Sequence, residues 1–505
     1  MKTRFLSSLS LVMAVALLPV RLLPAEHTGR VRYTRQDTQL IQRISLACSG
    51  IQADAQAVDA SISADGRYVA FESQASNLVD GDTNEADDGF VYDRRTGHID
   101  RVSVASDGTQ ADDESSDVTI SASGRYVTFA SFASNLVSGD TNGLRDVFVH
   151  DRETGQTTRA SVASDGGQTV FYGSDEPVLS SDGRYVAFSS QSEMLAPVDT
   201  TSRANIFLRD RQTRETTCIS RPTSGTQQNL SSVHPSISAD GRYVAFSSAA
   251  RNLVTGDTND ERDVFVYDVQ TGEIVRVSIA SDGTEGNGDS EAPEISADGR
   301  YVAFRSAAYN LVSGDTNQIG PEEIFFHDRD ADNDGVLDEP GQISTTRVSI
   351  ASDGTQVNQQ CWNLAISGDG RYVAFDTWSD TLVNGDTNEA WDVFVRDTQA
   401  GVTTRVSVAS DGDQADDNAR RPSLSYDGTS VAFDASATNL VGGDTNGVQD
   451  VFVHGDWAGQ RRFAGEIAPI YPTSHGSDSS VMEGGEMARH LRVLCADGTT
   501  PVPFA

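Results

Sequence analysis

Short apolar runs alternate with polar punctuation along almost the whole chain, and the punctuation returns at a fixed spacing. The clearest run is Gly-Arg-Tyr-Val-Ala-Phe or a close variant. It begins at Gly66, Gly124, Gly183, Gly241, Gly299, Gly370 and Gly428. Successive starts lie 58, 59, 58, 58, 71 and 58 residues apart. A fixed period of this size marks a repeat architecture.

The fourth copy shows what one repeat encodes. Residues 235–238 (Pro-Ser-Ile-Ser) form a short extended run, and Asp240-Gly241 follows. That dipeptide is a strong hairpin signal, because both central positions of a type I′ turn need positive φ. Residues 242–247 predict a second strand, with Tyr243 and Ala245 on one face and Val244 and Phe246 on the other. Both faces are apolar, so the strand is expected to be covered on both sides. After a polar loop, residues 263–268 (Asp-Val-Phe-Val-Tyr-Asp) predict a third strand. Thr271-Gly272 turns the chain, and 274–280 predict a fourth. Four antiparallel strands in each of seven units predict an all-β, seven-bladed β-propeller, with each blade hidden between two neighbours. Proline is missing from the second and third strands, as central strands require.

The pattern also predicts how the ring closes. Residues 42–48 (Gln-Arg-Ile-Ser-Leu-Ala-Cys) match the fourth-strand segment 404–410 (Thr-Arg-Val-Ser-Val-Ala-Ser), yet no first three strands precede them. The seventh unit has a third strand at 450–454 and no good fourth. The N-terminal strand is therefore expected to complete the last blade, which removes two free sheet edges. The ring is expected over about residues 41–456, with a non-repeat tail at 457–505.

Composition bounds the rest. Residues 1–25 read as an export signal: Lys2 and Arg4 give a positive start, and 5–20 are mostly apolar but short for a bilayer span. The expected location is periplasmic or secreted, without membrane insertion once the signal is removed. A net charge of −36 argues against nucleic acid and anionic lipid as partners. Lys2 is the only lysine, which excludes Schiff-base and P-loop chemistry in the mature chain. Cys48, Cys218, Cys361 and Cys495 hold unrelated repeat positions and form no CxxC. The ring closes on itself, so a monomer is expected.

Two motifs carry candidate chemistry. Asp330, Asp332, Asp334 and Asp338 stand at positions one, three, five and nine of an insertion in the fifth repeat, with Gly335 at six. Hard cations gather carboxylates at alternate positions around a sharp glycine turn, and Val336 would add its carbonyl. Position twelve is Gly341, not the glutamate of a full EF-hand loop. The segment resembles the shorter DxDxDGxxD calcium loops of integrin-type propellers, which implies structural Ca²⁺. The second motif is Gly-Asp-Thr-Asn before the third strand, followed by an acid. Its clean copies are Asp82, Asn84 and Asp88; Asp140, Asn142 and Asp146; Asp257, Asn259 and Asp263; Asp386, Asn388 and Asp392; and Asp444, Asn446 and Asp450. The third repeat is degenerate (Asp199, Thr201, Asn205) and the fifth stretched (Asp315, Asn317, Glu323). Each set either bonds nearby backbone in Asx-turns or holds a cation. His150, His327 and His454 share a position that holds Tyr or Arg elsewhere, which speaks for a tolerant strand site and against a histidine metal centre.

The run Ile-Ser-Ala-Asp-Gly-Arg-Tyr-Val-Ala-Phe, at Ile62, Ile237 and Ile295, with Asp-Val-Phe-Val-Tyr-Asp and Thr-Gly downstream, resembles the WD40-like propeller repeat of TolB-type proteins. The resemblance covers about four-fifths of the chain. It implies an exported bacterial propeller used as an interaction platform. The N-terminal domain of TolB has no counterpart here, so its particular partners are not implied. The expected function is a non-enzymatic scaffold for a protein or glycan, with bound calcium. The alternative is a carbohydrate-active or other hydrolytic enzyme with acidic catalysts at the channel mouth.

Overall fold

The computed structural model describes residues 40–196, 203–222, 230–316, 321–455 and 457. Among them, 28 strands form seven four-stranded antiparallel sheets. The first blade orders Ala57–Ile62, Tyr68–Ser73, Asp88–Asp93 and His98–Arg101 from the channel outward. The seventh uses Ala419–Leu424, Ser430–Ala435 and Asp450–Gly455, and then Ile41–Arg43 from the other end of the chain. Ile41 faces His454 and Arg43 faces Phe452 in that pairing, and the Ile44 amide donates to the Val451 carbonyl at 2.7 Å. The expected closure is present. Residues 1–25, read above as an export signal, and the tail beyond 457 lie outside the described residues.

The doubly apolar strands explain the architecture. Every blade pairs one phenylalanine of its second strand with one of its third, as in Phe71–Phe90 at 5.8 Å and Phe433–Phe452 at 6.1 Å between ring centres. The cores lie between blades: Ala70 and Val91 of the first pack with Val127, Phe129 and Phe148 of the second. At the seam, Val451 and Val453 pack on Val69 and Phe71.

The Asp-Gly turns couple one blade to the next. A Cβ on Gly183 would stand 2.3 Å from Tyr126 of the preceding blade, and Gly183 has φ +69°. Only glycine meets both demands. Beside each turn an arginine grips the end of the third strand: Arg125 donates to both carboxylate oxygens of Asp151 at 2.8 and 2.7 Å. The seventh blade loses tyrosine, arginine and aspartate together, with Ser430, Thr429 and Gly455 in their places. Trp457 repairs the neighbourhood. Its indole N–H donates to the Gly428 carbonyl at 2.7 Å, the bond that Arg94 gives Gly66 at 2.6 Å, and its ring meets Tyr372 edge-on. The ring framework thus reaches one residue beyond 456.

The disc has two unlike faces. The tight turns between first and second strands, and between third and fourth, share one face. The long loops share the other, where the inner strands begin.

Candidate functional site

The Gly-Asp-Thr-Asn sets hold the most regularly repeated acids of the chain. The structure brings the members of each set together, and an arginine from the fourth strand stands between the two acids. Arg159 Nη1 lies 3.1 Å from Asp140 and 3.0 Å from Asp146. Arg101 holds Asp82 and Asp88 at 3.4 and 3.3 Å, and Arg276 holds Asp257 and Asp263 at 3.5 and 3.2 Å. Arg405 holds Asp386 and Asp392 at 3.0 and 3.3 Å, and Arg43 holds Asp444 and Asp450 at 2.9 and 3.2 Å. In the fifth blade Arg347 reaches Asp315 and Glu323. The asparagines complete the sets: Asn142, Asn259, Asn388 and Asn446 each donate to the second aspartate, and Asn84 donates to the Ala111 carbonyl. Burial raises the carboxyl pKa of Asp88, Asp263 and Asp392, opposed by a serine hydroxyl and the arginine.

The third blade is the informative exception. Asn205 replaces the acid, and Cys218 replaces the arginine thirteen residues on, with its sulfur 3.7 Å from the Asn205 side-chain oxygen. Charge and countercharge are lost together. Asp199, Thr201 and Asn317 lie outside the described residues.

The acidic loop of the fifth blade behaves differently. One carboxylate oxygen from each of Asp330, Asp332 and Asp334 falls within 4.8 Å of the others. A turn with φ +60° at Asn333 and +90° at Gly335 makes this approach, and Asp330 accepts the amides of Asp334 and Gly335 at 3.0 and 3.2 Å. Asp332 and Asp334 are exposed. Asp338 does not join them. It turns to Arg329, which donates to both of its oxygens at 2.9 and 2.5 Å. Val336 donates its amide to Asp334 at 2.9 Å. The triad is an all-oxygen donor set fit for a hard metal ion.

The channel mouth is where the blades differ most. Each inner strand carries a bulge, and its third residue is Asp59, Asp117, Glu176, His234, Ala292, Asn363 or Arg421. Six of the seven, all but Asn363, take φ between 50° and 54°. Non-glycine residues held there are sparse and cluster at functional sites. The freed amides point at side chains of the preceding blade. Asp117 N donates to Glu72, Glu176 N to Asp117, His234 N to Glu176 and Arg421 N to Asp376, at 2.8–3.2 Å. Arg421 also meets Asp59 at 3.0 Å and Asp434 at 2.7 Å. Asp59, Asp117, Glu294, Asn363 and Arg421 line a cavity of about 430 Å³ at the axis. Burial pushes the Asp434 and Glu294 carboxyls up to about 7, and burial beside Asp59 holds Glu72 well above the usual carboxylate range. No motif named this ring. Its signal was positional: these are the variable places in an otherwise uniform repeat.

Exposed apolar side chains sort by face. Of eleven large ones among the described residues, eight (including Phe132, Phe171, Tyr309, Trp362 and Trp378) are on the long-loop face, Val336 and Tyr426 are on the other, and Ile51 is in the rim hairpin that packs on His98. Trp362 is 43% and Trp378 51% exposed. Trp378 borders a cleft of about 400 Å³ with Asn358, Gln359, Asp380 and Glu389. The histidine position is structural where described in detail: His150 and His327 bond Thr157 and Thr345 hydroxyls at 2.9 and 2.8 Å, as Arg209 does Thr216.

These features define a closed seven-bladed propeller with one variable face. No family model matches the chain, and no curated protein matches it. Solved structures with a similar fold include an oligogalacturonate lyase from Vibrio parahaemolyticus (14% identity, 82% of this chain and 92% of that one, TM-score 0.49). The propeller domain of the Trilobed protease from Pyrococcus furiosus is another (8%, 79% and 95%, 0.47), and TolB from Acinetobacter baumannii a third (16%, 62% and 61%, 0.33). No residue role is carried over from them. Among the described residues no helix is long and apolar enough to cross a membrane.

Proposed function

We propose that this chain is an exported, monomeric propeller that acts as a binding scaffold, with its long-loop face as the working surface. The observation that carries this is the sorting of eight exposed apolar side chains, the variable channel ring and the Trp378 cleft onto that face. Exposed apolar surface rimmed by polar groups marks interaction sites. The partner is a protein or glycan, and the net charge of −36 disfavours nucleic acid. The test uses the full chain as bait against proteins and glycans of the exported compartment, beside a Trp362→Ala/Trp378→Ala variant. The expected result is a partner lost from the variant; identical capture by both would refute the reading.

Calcium belongs to the same proposal. Asp330, Asp332 and Asp334 supply the hard-oxygen donors, and the ion would lock the insertion against the turn face. The Gly-Asp-Thr-Asn sets we assign to the framework, because an arginine already meets their charge.

One observation favours a second reading, glycoside hydrolysis at the channel. Burial and the neighbouring Asp59 carboxylate raise the Glu72 pKa, the direction in which a general acid is tuned. Oligosaccharide cleavage abolished by Glu72→Gln would support it, and a screen without turnover would remove it.

A further inference from the structure

A third group of side chains stands at the seam where the ring closes. Cys48 Sγ lies 3.4 Å from His98 Nδ1, and His98 Nε2 lies 2.9 Å from Asp100 Oδ1. Cys48 is partly exposed, and His98 and Asp100 are 40% and 45% exposed. The cysteine comes from the hairpin after the ring-closing strand, in which Leu46 bridges to Gln52. The other two come from the outer strand His98–Arg101 of the first blade.

The other seams show that this is not framework chemistry. At equivalent places the hairpin carries a serine, and its hydroxyl accepts an amide from the outer strand of the next blade. Thr157 N donates to Ser106, Thr216 N to Ser164, Thr345 N to Ser281 and Thr403 N to Ser352, all at 2.9–3.0 Å. The positions of His98 and Asp100 hold Gln156 and Thr158 in the second blade and Ser344 and Thr346 in the fifth. The third blade has Glu215 and Thr217 there, the fourth Glu273 and Val275 and the sixth Val402 and Thr404, so this seam replaces the recurrent hairpin serine by Cys48 and sets a histidine and an aspartate from two variable positions in line with it. Thiol, imidazole and carboxylate in that order form an activated-nucleophile constellation: a base within reach of the nucleophile, and a third group orienting the base.

We propose that Cys48 is a nucleophile for small acyl esters and thioesters, with His98 as its base and Asp100 as a positioning residue. His98 Nδ1 takes the thiol proton as Cys48 sulfur bonds the acyl carbon. The bond from that carbon to the alkoxide or thiolate then breaks, and His98 returns the proton to the leaving group. The products are an acyl-Cys48 thioester and a free alcohol or thiol. Water, activated by the same imidazole, then releases the acid. Asp100 holds the ring so that Nδ1 faces sulfur, and Arg152 Nη2 stands 3.4 Å from its other oxygen. The open rim suits a small acyl group.

The test uses the full chain with Cys495→Ser, so that the remaining cysteines are Cys48 and the buried Cys218 and Cys361. p-Nitrophenyl acetate is the probe, read as nitrophenolate release and as acetyl-Cys48 by peptide mass spectrometry across pH. His98→Gln, which copies the second blade, is expected to slow acylation on the order of a hundredfold and to shift its pH profile to that of a simple thiol. Asp100→Asn is expected to slow it less and to change the profile in the same direction. Thermal melting checks that both variants fold. Equal rates and profiles in wild type and His98→Gln would overturn the proposal, as would acetyl groups found elsewhere than on Cys48.

Discussion

The aspartates of this protein fall into two groups that look alike in sequence and differ in electrostatics. The repeated sets before the third strands are buried, and in six of the seven blades a guanidinium stands between the two acids. The triad of the fifth blade is mostly exposed, and its three carboxylates converge on one another, with Arg300 3.7 Å from Asp330 at their edge while Arg329 goes to Asp338. Buried acids need a permanent countercharge inside the fold. Acids at a loop tip tolerate their own repulsion in water and can recruit a mobile cation. What separates the two groups is exposure and how arginine meets them: a guanidinium stands between the two acids of a framework set, while at the triad Arg300 approaches the buried Asp330 from the edge.

The largest effect is expected in the first group. Asp263→Ala takes away the buried carboxylate that accepts from Arg276, Ser278 and Asn259, leaving Arg276 only Asp257 and Glu285, and should cost about 3 kcal/mol in chemical denaturation. Adding Arg276→Cys to Asp263→Asn copies Asn205 and Cys218, and should recover most of that loss, as coupled neighbours do. If Asp263→Ala costs no more than an exposed substitution, the framework role is wrong.

Next comes the blade-to-blade latch. Gly183→Ala should cost about 2–3 kcal/mol, from positive φ plus collision with Tyr126. Gly50→Ala has φ +79° but nothing within 4 Å, and should cost about 1 kcal/mol. Equal losses at the two glycines would show that collision contributes nothing.

The latch and the frame were largely legible in the sequence. Period-two patterns and Asp-Gly turns are local, so the seven blades and the joining of 42–48 to the last one could be read directly. Four arginine partners were legible too, thirteen residues after their aspartates, and the single Asn205 coincides with the single Cys218; the insertion moves Arg347 to 24 residues after Glu323, and ring closure supplies Arg43 from the other end of the chain. The channel ring was not, because a bulge decides which side chain faces the axis. The Cys48, His98 and Asp100 group was hidden because residues fifty apart meet only across the seam. Trp457 was read as tail because nothing in the repeat predicts an indole doing an arginine's bonding.

Smaller still is the metal effect on the second group. Removing calcium with EDTA should lower the melting temperature in wild type and leave Asp332→Asn unmoved; an ion at about a hundred times its Kd adds about 2.7 kcal/mol. A melting curve indifferent to EDTA would remove calcium from the account.

The smallest effects concern pH. Arg125 and Arg184 hold Asp151 and Asp210 down to about 2, below their unfolded value near 3.8. Their contribution is present above that unfolded value and is lost as pH falls towards 2. Asp434 runs the other way. Burial raises it to about 7, so its contribution is present below about 4 and is lost as pH rises through 7. Asp434→Asn should flatten the stability curve between those values, and Asp151→Asn should flatten it only on the acid limb. A midpoint-against-pH series checks both.

Calcium stoichiometry by titration calorimetry tests the division between the two groups most directly. The account predicts a single site per chain, abolished by Asp330→Asn/Asp332→Asn and untouched by Asp386→Asn. Five or more equivalent sites, or one that survives the double change, would contradict it.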